Sequence, residues 1–352
     1  MMDDASLLGA SCPLPITNYK EIVLAHGSGG KLSHQLIEKM VLPQFRNELL
    51  EPLHDGAIFS LNGERVAFST DSFVVSPIFF PGGDIGKLAI HGTVNDLAMC
   101  GARPLYLSAS FILEEGLPME DFWRVVQSMH AAADAAGVKL VTGDTKVVDR
   151  GKADKIFINT SGIGVVPKEV NIHPARATVG DKIIISGPIA VQGIAIMSVR
   201  EGLEFETEIA SDSAALHELV AAVLAKGIDI HVLRDPTRGG LATTLNELAR
   251  DCELGITVDE EAVPVRDEVR GACELLGLDP LHIANEGQLV AVVAPDSADR
   301  ALAAVRGVPG GESAALVGRT DATPPRTVVA VASYGGTRVV DMLVGDPLPR
   351  IC

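Results

Sequence analysis

Hydrophobic and polar positions alternate with period two over residues 65–70 and shift to the three-to-four-residue spacing of a helix over residues 86–99. Residues 104–113 again read as a strand, 119–136 as an amphipathic helix, and 138–142 and 155–166 as two further strands. After Pro167 the pattern breaks through His173-Pro174 and Val179-Gly180-Asp181, which marks a domain boundary. A second unit follows, with helices predicted over 211–226, 240–250 and 265–276 and strands around 288–293, 315–317 and 327–331. The most apolar stretch, 183–199, is broken by Gly187, Pro188 and Gly193, so it reads as a strand turning into a helix rather than a membrane span. The expected class is a mixed α/β (α+β) chain in four parts: an N-terminal segment over 1–40, domains over 41–168 and 169–340, and a tail over 341–352.

Composition narrows the function classes. With 47% hydrophobic and 21% charged residues in 352, the chain is a folded globular one. A formal net charge of -17 excludes a surface for nucleic acid or anionic membrane, and a negatively charged substrate here needs metal cations. Met1-Met2-Asp3-Asp4 lacks the basic start of a secretory signal and no long apolar run follows, which predicts a cytoplasmic protein. Five cysteines without a CxxC spacing suit reduced thiols; Cys100, Cys252 and Cys273 sit in apolar helical patterns as buried structural thiols.

Four acids stand at the ends of apolar segments among small residues: Asp55, Asp71, Asp96 and Asp144. Any one of them is most often an Asx turn or a helix cap. Together, carboxylates with small neighbours let hard oxygen ligands converge, as Mg²⁺ requires when it holds a polyphosphate. His26-Gly27-Ser28-Gly29-Gly30-Lys31 offers backbone N–H groups and an ammonium to phosphates, without the spacing of a Walker A loop. Arg234-Asp235-Pro236-Thr237-Arg238-Gly239-Gly240 and Asn285-Glu286-Gly287 read as site loops or as purely conformational glycine turns. The chain ends Asp346-Pro347-Leu348-Pro349-Arg350-Ile351-Cys352, a proline-stiffened arm after Gly345 that suits carrying a group on Cys352 between sites; a lipid signal is excluded because the cysteine is last.

The combination of HGSGGK, STDSFVVSP, FPGGDIGKLAIHGTVNDLAMCGARP, GDTKVV, RDPTRGG, NEG and PRIC resembles the HypE family of hydrogenase maturation factors, the carbamoyl dehydratases of nickel–iron hydrogenase assembly, from about residue 20 to Cys352. That family sits in the ATP-binding superfamily of aminoimidazole ribonucleotide synthetase. The resemblance implies a homodimer whose N-terminal domains pair into a β-barrel, with ATP in a cleft that the dimer helps form. It implies ATP on Gly29, Gly30, Lys31, Asp71, Asn95, Asp96, Gly143, Asp144 and Thr145, and Mg²⁺ on Asp55, Asp71, Asp96, Asp144 and Asp235. A separate carbamoyltransferase would load Cys352, ATP-driven dehydration would give an S-cyanate, and an iron-carrying scaffold complex would receive the cyanide. Glu286, then Lys146, are the candidate bases, Lys146 alternatively pairing with Asp144 or a phosphate. One departure is Ala190-Val191-Gln192-Gly193, where the family often has Gly-Asp-His-Gly. The alternatives are a small-molecule phosphotransferase of the selenophosphate synthetase or thiamine monophosphate kinase type, and a nucleotide-binding scaffold whose tail only docks partners.

Overall fold

The computed structural model describes residues 16, 18–202, 208–345, 348, 350 and 351. Short helices α1 (Lys31–Leu36) and α2 (Leu42–Phe45) precede a five-stranded sheet built from β1 (Ala57–Leu61), β2 (Glu64–Phe73), β5 (Arg103–Glu114), β6 (Lys139–Val148) and β7 (Ile156–Val166). Its order is β1-β2-β7-β5-β6, with a two-stranded ribbon of β3 (Phe79–Phe80) and β4 (Gly83–Asp84) beside it. The β5/β6 pair is parallel, and the crossover it needs is α4 (Met119–Ala135).

One face of this sheet is closed by α3 (Ile85–Met99), which buries 13 of its 15 residues. A helix apolar on all sides must be covered on all sides, and α3 packs against the sheet, against α4 and against the second half of the chain. Asp84 caps it, accepting from the N–H groups of Gly86 and Lys87 at 2.7 and 3.1 Å. The opposite face is open. Pairing places Phe68, Ile163 and Tyr106 in one row across β2, β7 and β5, all exposed, and Ser72, Asn159, Ser110 and Asp144 in another. Beyond them β6 is an edge strand, exposed along nearly its whole length.

The second half forms a seven-stranded sheet of β8 (Lys182–Ile185), β9 (Ile230–Arg234), β10 (Gly255–Asp259), β11 (Val290–Val293), β12 (Ala315–Asp321), β13 (Val328–Val331) and β14 (Thr337–Val340), in the order β14-β13-β10-β12-β8-β11-β9. Helices α5 (Val191–Arg200), α6 (His217–Leu224), α7 (Gly240–Asp251), α8 (Asp267–Leu276) and α9 (Ala298–Arg306) accompany it. The interior strands β8 and β11 read Lys-Ile-Ile-Ile and Val-Ala-Val-Val, near-continuous apolar runs that suit strands covered on both faces.

The largest differences from the predicted bounds are at two elements. The strand expected over 138–142 continues to Val148, because pairing with β5 carries it on and Gly143 lets the backbones approach: a Cβ there would lie 2.1 Å from the Ala109 carbonyl oxygen. The helix expected over 211–226 begins only at His217. Residues before it lie instead along α3, where the Asn95 amide donates to the Ala214 carbonyl at 3.0 Å and its oxygen accepts from the Leu216 N–H at 2.8 Å. These tertiary bonds override the helical pattern.

Candidate active site

Acids from both halves converge on the cleft between the two sheets. Asp55 stands before β1, Asp71 on β2 and Asp96 within α3; Asp235 follows β9, Glu286 lies in the loop before β11, and Asp212 in the segment before α6. Burial pushes the Asp96 carboxyl well above its ordinary range, and Asp235, Asp71 and Asp55 push it further. Asp235 is raised well above its range by burial and then by Asp55, and Glu286 by burial and then by Asp235, Asp71 and Asp212. Burial raises Asp55 to about 6 although Arg234 opposes it, and raises Asp212 to about 6. Asp71, a third exposed at the mouth, is raised by burial against the pull of Arg238.

Such mutual repulsion in a protein interior is the mark of a site arranged for a positive ligand. Three oxygens underline it: Asp55 Oδ2, Asp212 Oδ2 and Glu286 Oε1 are buried and accept no hydrogen bond from the described residues. Two arginines offset part of it, Arg234 from within and Arg238 at the mouth. Arg234 Nε lies 2.9 Å from Asp55 Oδ1, with Glu247 on its other side at 2.5 Å, and Arg238 Nη2 is 3.9 Å from Asp71 Oδ1. Among the described residues no three His, Cys, Asp or Glu side chains converge as a complete set of metal ligands.

The glycine-rich segment packs beside this cluster. Gly29 adopts φ +76°, a conformation suited to glycine, and a Cβ there would lie 2.8 Å from the Arg238 carbonyl oxygen. Its N–H groups are engaged within the chain: Gly29 with Ser33 Oγ at 3.0 Å, Gly30 with Ser28 Oγ at 3.3 Å and Lys31 with the Leu343 carbonyl at 2.9 Å. The Lys31 ammonium pairs with Asp341. A cavity of about 230 Å³, lined by Ser28, Arg238, Ala284, Leu343, Leu348 and Ile351 among others, separates the loop from the end of the chain.

That end runs inward. Leu348 and Ile351 are buried, Ile351 bridges Val75 just after β2, and the Ser76 N–H donates to the Arg350 carbonyl at 3.1 Å. The Arg200 guanidinium also reaches the Arg350 carbonyl, and Arg350 pairs with Asp154. Cys352 lies outside the described residues.

The remaining sequence-predicted residues fall elsewhere. Asp144, Thr145 and Lys146 lie on exposed β6, away from the cluster of their own chain. The Lys146 ammonium, 2.5 Å from Asp144, holds that carboxyl below its usual range. Nothing in one chain buries Lys146, so the pairing with Asp144 is what this structure contains. Asn95 is buried between the halves, bonded to the backbone at 214 and 216 and, at 3.4 Å, to the Glu286 carbonyl. Sequence reasoning missed Asp212, hidden inside an expected helix, and assigned no role to Arg234 and Arg238, although both stand in the RDPTRGG segment that had drawn attention.

Comparison with known proteins agrees with this architecture. The family models for the N-terminal and C-terminal domains of AIR synthase related proteins match residues 53–166 and 178–330. The carbamoyl dehydratase HypE of Rhizobium leguminosarum bv. viciae is 55% identical over 94% of this chain and 95% of its own length, and that of Escherichia coli K12 is 47% identical over 94% and 99%. A HypE crystal structure in complex with ATP superposes with a TM-score of 0.79 at 51% identity, covering 94% of this chain and all of that one. The HypE–HypF complex gives 0.83 at 47% identity, covering 88% and 99%. A thiamine monophosphate kinase bound to AMPPCP and TMP, 18% identical with a TM-score of 0.70 over 93% and 99%, shares the fold. With its motifs, its two matched domains and relatives identical at half their positions over nearly the full length, the chain belongs to the HypE family of carbamoyl dehydratases.

Proposed function

We propose that the chain converts a carboxamide carried on the sulfur of Cys352 to an S-cyanate at the expense of ATP, in the cytoplasm, and so supplies cyanide for the iron centre of a nickel–iron hydrogenase. The observation that carries this reading is a tail docked through Ile351 beside a buried, self-repelling acid cluster. A carboxamide oxygen is a poor leaving group at neutral pH. Phosphorylation by the γ-phosphate of ATP turns it into phosphate, and loss of that phosphate with the nitrogen protons leaves the nitrile, ADP and phosphate.

The buried Asp55 oxygen that has no partner among the described residues, together with the raised acids, fits Mg²⁺, which takes one or two carboxylates per ion and completes its shell with phosphate and water. Asp55, Asp71, Asp96 and Asp235 would hold it, and its charge would neutralise the triphosphate. Glu286 is the base. Its carboxyl is held up by burial and by neighbouring acids, so cations that neutralise those neighbours lower it towards the carboxylate form that can accept a proton.

The open, partly apolar sheet face and the bare β6 edge support a homodimer in which two N-terminal sheets close a barrel. In that arrangement Asp144 and Lys146 of one protomer would meet nucleotide held by its partner. The HypE–HypF complex supports loading of Cys352 by a carbamoyltransferase partner, and an iron-carrying scaffold complex would take the cyanide.

Intact mass after incubation with a carbamoyltransferase system tests the reaction: the chain should gain a carbamoyl mass and then lose a water mass only with ATP. ATP turnover on a free small molecule that survives deletion of Cys352 would point to a phosphotransferase instead. Stability supplies a separate check on the cation. Asp55 and Asp212 stand near 6 when folded against 3.8 as ordinary carboxyls, so the folded chain binds more protons in that window. Without divalent ions its thermal midpoint should therefore fall as pH rises from about 4 to about 6 and remain low above it. Mg²⁺ with a non-hydrolysable ATP analogue should raise the midpoint more at neutral pH than at about pH 4.5. Equal increments at both would remove these acids from the ion's surroundings.

A further inference from the structure

We propose that Gln192, oriented by Ser211, is a positioning residue for the reaction on Cys352, acting by clamping the Ile351 carbonyl and so restraining the end of the tail. The proposal rests on the reading that Cys352 carries the reacting group.

Gln192 sits in the first turn of α5 with no exposed surface. A primary amide in such a place needs partners for both ends. Its Nε2 donates to the Ile351 carbonyl at 3.2 Å, and its Oε1 accepts from the Ser211 hydroxyl at 2.5 Å. The direction of this relay is fixed by hydrogen-bond accounting. Ser211 Oγ already accepts from the Ser213 N–H at 3.0 Å, so its proton is free to point at Gln192 Oε1. The NH₂ group of Gln192 must then face the tail; reversing the amide would set oxygen against the Ile351 carbonyl oxygen.

The carbonyl so held belongs to the peptide bond that joins Cys352. The bridge to Val75 and the bonds to the Arg350 carbonyl secure the preceding residues, whereas Gln192 acts on the last carbonyl before the cysteine. The orienting segment also reaches the acid cluster. Asp212, between the two serines, accepts from the Glu286 N–H at 3.2 Å through Oδ1. Gly287 permits that approach, since a Cβ there would lie 1.8 Å from the Asp212 carbonyl oxygen. Three consecutive residues thus tie the clamp on the Ile351 carbonyl to the backbone of Glu286. The competing role for Gln192 is a satisfied core amide indifferent to the tail.

The test uses the full-length protein and three substitutions: Gln192→Met, which keeps volume without the amide, Ser211→Ala, and Ser211→Thr, which retains the hydroxyl. The readouts are the iodoacetamide alkylation rate of Cys352, followed on the peptide of residues 346–352 released by cleavage before Asp346, the single-turnover dehydration rate of chain already carbamoylated on Cys352, and ATP affinity by calorimetry. Loss of the clamp should raise alkylation about fivefold and slow dehydration by at least as much in Gln192→Met, with ATP affinity unchanged. Ser211→Ala should move both rates in the same directions, and Ser211→Thr should restore them. Alkylation and dehydration at parental rates in Gln192→Met and Ser211→Ala would overturn the clamp; if Gln192→Met does not fold, the Ser211 pair decides. A parent chain that never dehydrates its carbamoylated cysteine would defeat the dehydratase reading instead, and the alkylation rates would still decide the clamp.

Discussion

Glu286→Gln is expected to accept a carbamoyl group on Cys352 at the parental rate and to dehydrate it about 10²- to 10⁴-fold more slowly, the usual weight of a positioned general base. The glutamine amide matches the carboxyl in shape but cannot take a proton from nitrogen. Because Glu286 is buried among acids that hold its proton on, folding must take up a proton that the unfolded chain gives up above about pH 4.5, and the substitution removes that cost. Thermal stability of the ion-free variant should therefore rise while the reaction collapses, a pattern that misfolding would not produce. Single-turnover mass spectrometry separates the loading and dehydration steps. A dehydration rate equal to the parent's would move the base elsewhere, first to Lys146.

Asp71→Asn and Asp144→Asn should each abolish ATP turnover while keeping the fold, since neutral amides bind Mg²⁺ far more weakly than carboxylates. Their different positions make a sharper experiment possible. Asp71 belongs to the buried cluster, whereas Asp144 lies on the exposed edge strand, remote from the cluster of its own chain. If the homodimer brings β6 of one protomer to the cleft of the other, a mixed dimer of the two variants contains one site with both substitutions and one with neither. Random reassociation makes about half of the dimers mixed, so about a quarter of parental turnover should return on mixing two inactive proteins. No recovery, with mixed dimers demonstrated by mass, would mean that Asp71 and Asp144 serve the cleft of one and the same chain, and turnover by Asp144→Asn alone would remove Asp144 from catalysis.

The sequence disclosed these acids because each stands where an apolar segment stops, next to Gly, Ser, Thr or Asn, and that local signature survives without knowledge of the fold. It could not sort them. Asp55, Asp71 and Asp144 look alike in one dimension, yet two line the cleft and the third occupies an open edge, a difference decided by the strand order β1-β2-β7-β5-β6. The expected helix over 211–226 had the right spacing through its second half. Its first half, with Ser211 and Asp212, was misread because bonds to Asn95, Glu286 and Gln192 come from residues far away in sequence. β9 and β10 escaped notice as short strands flanked by charged residues, whereas the long strands β5 and β7 were legible from alternation alone. Gln192 was visible only as a departure from the family pattern. Its role emerged once the end of the chain was seen to lie against it.

Asn95 carries a consequence for how the enzyme must breathe. Its amide, almost wholly buried, stitches the middle of α3 to the backbone at residues 214, 216 and 286. Parting the two halves would exchange these bonds for bonds to water, at about 0.5–1.5 kcal/mol for each, and would also uncover the apolar surface of α3 around them. That seam therefore favours a stiff joint between the halves over a hinge. With a stiff joint, the movement that exchange of a bound nucleotide would need falls to smaller parts: the glycine segment around Gly29, the Asp71 mouth and the arm that carries Ile351. On that arrangement, how readily those few residues part would bear on the pace of each cycle.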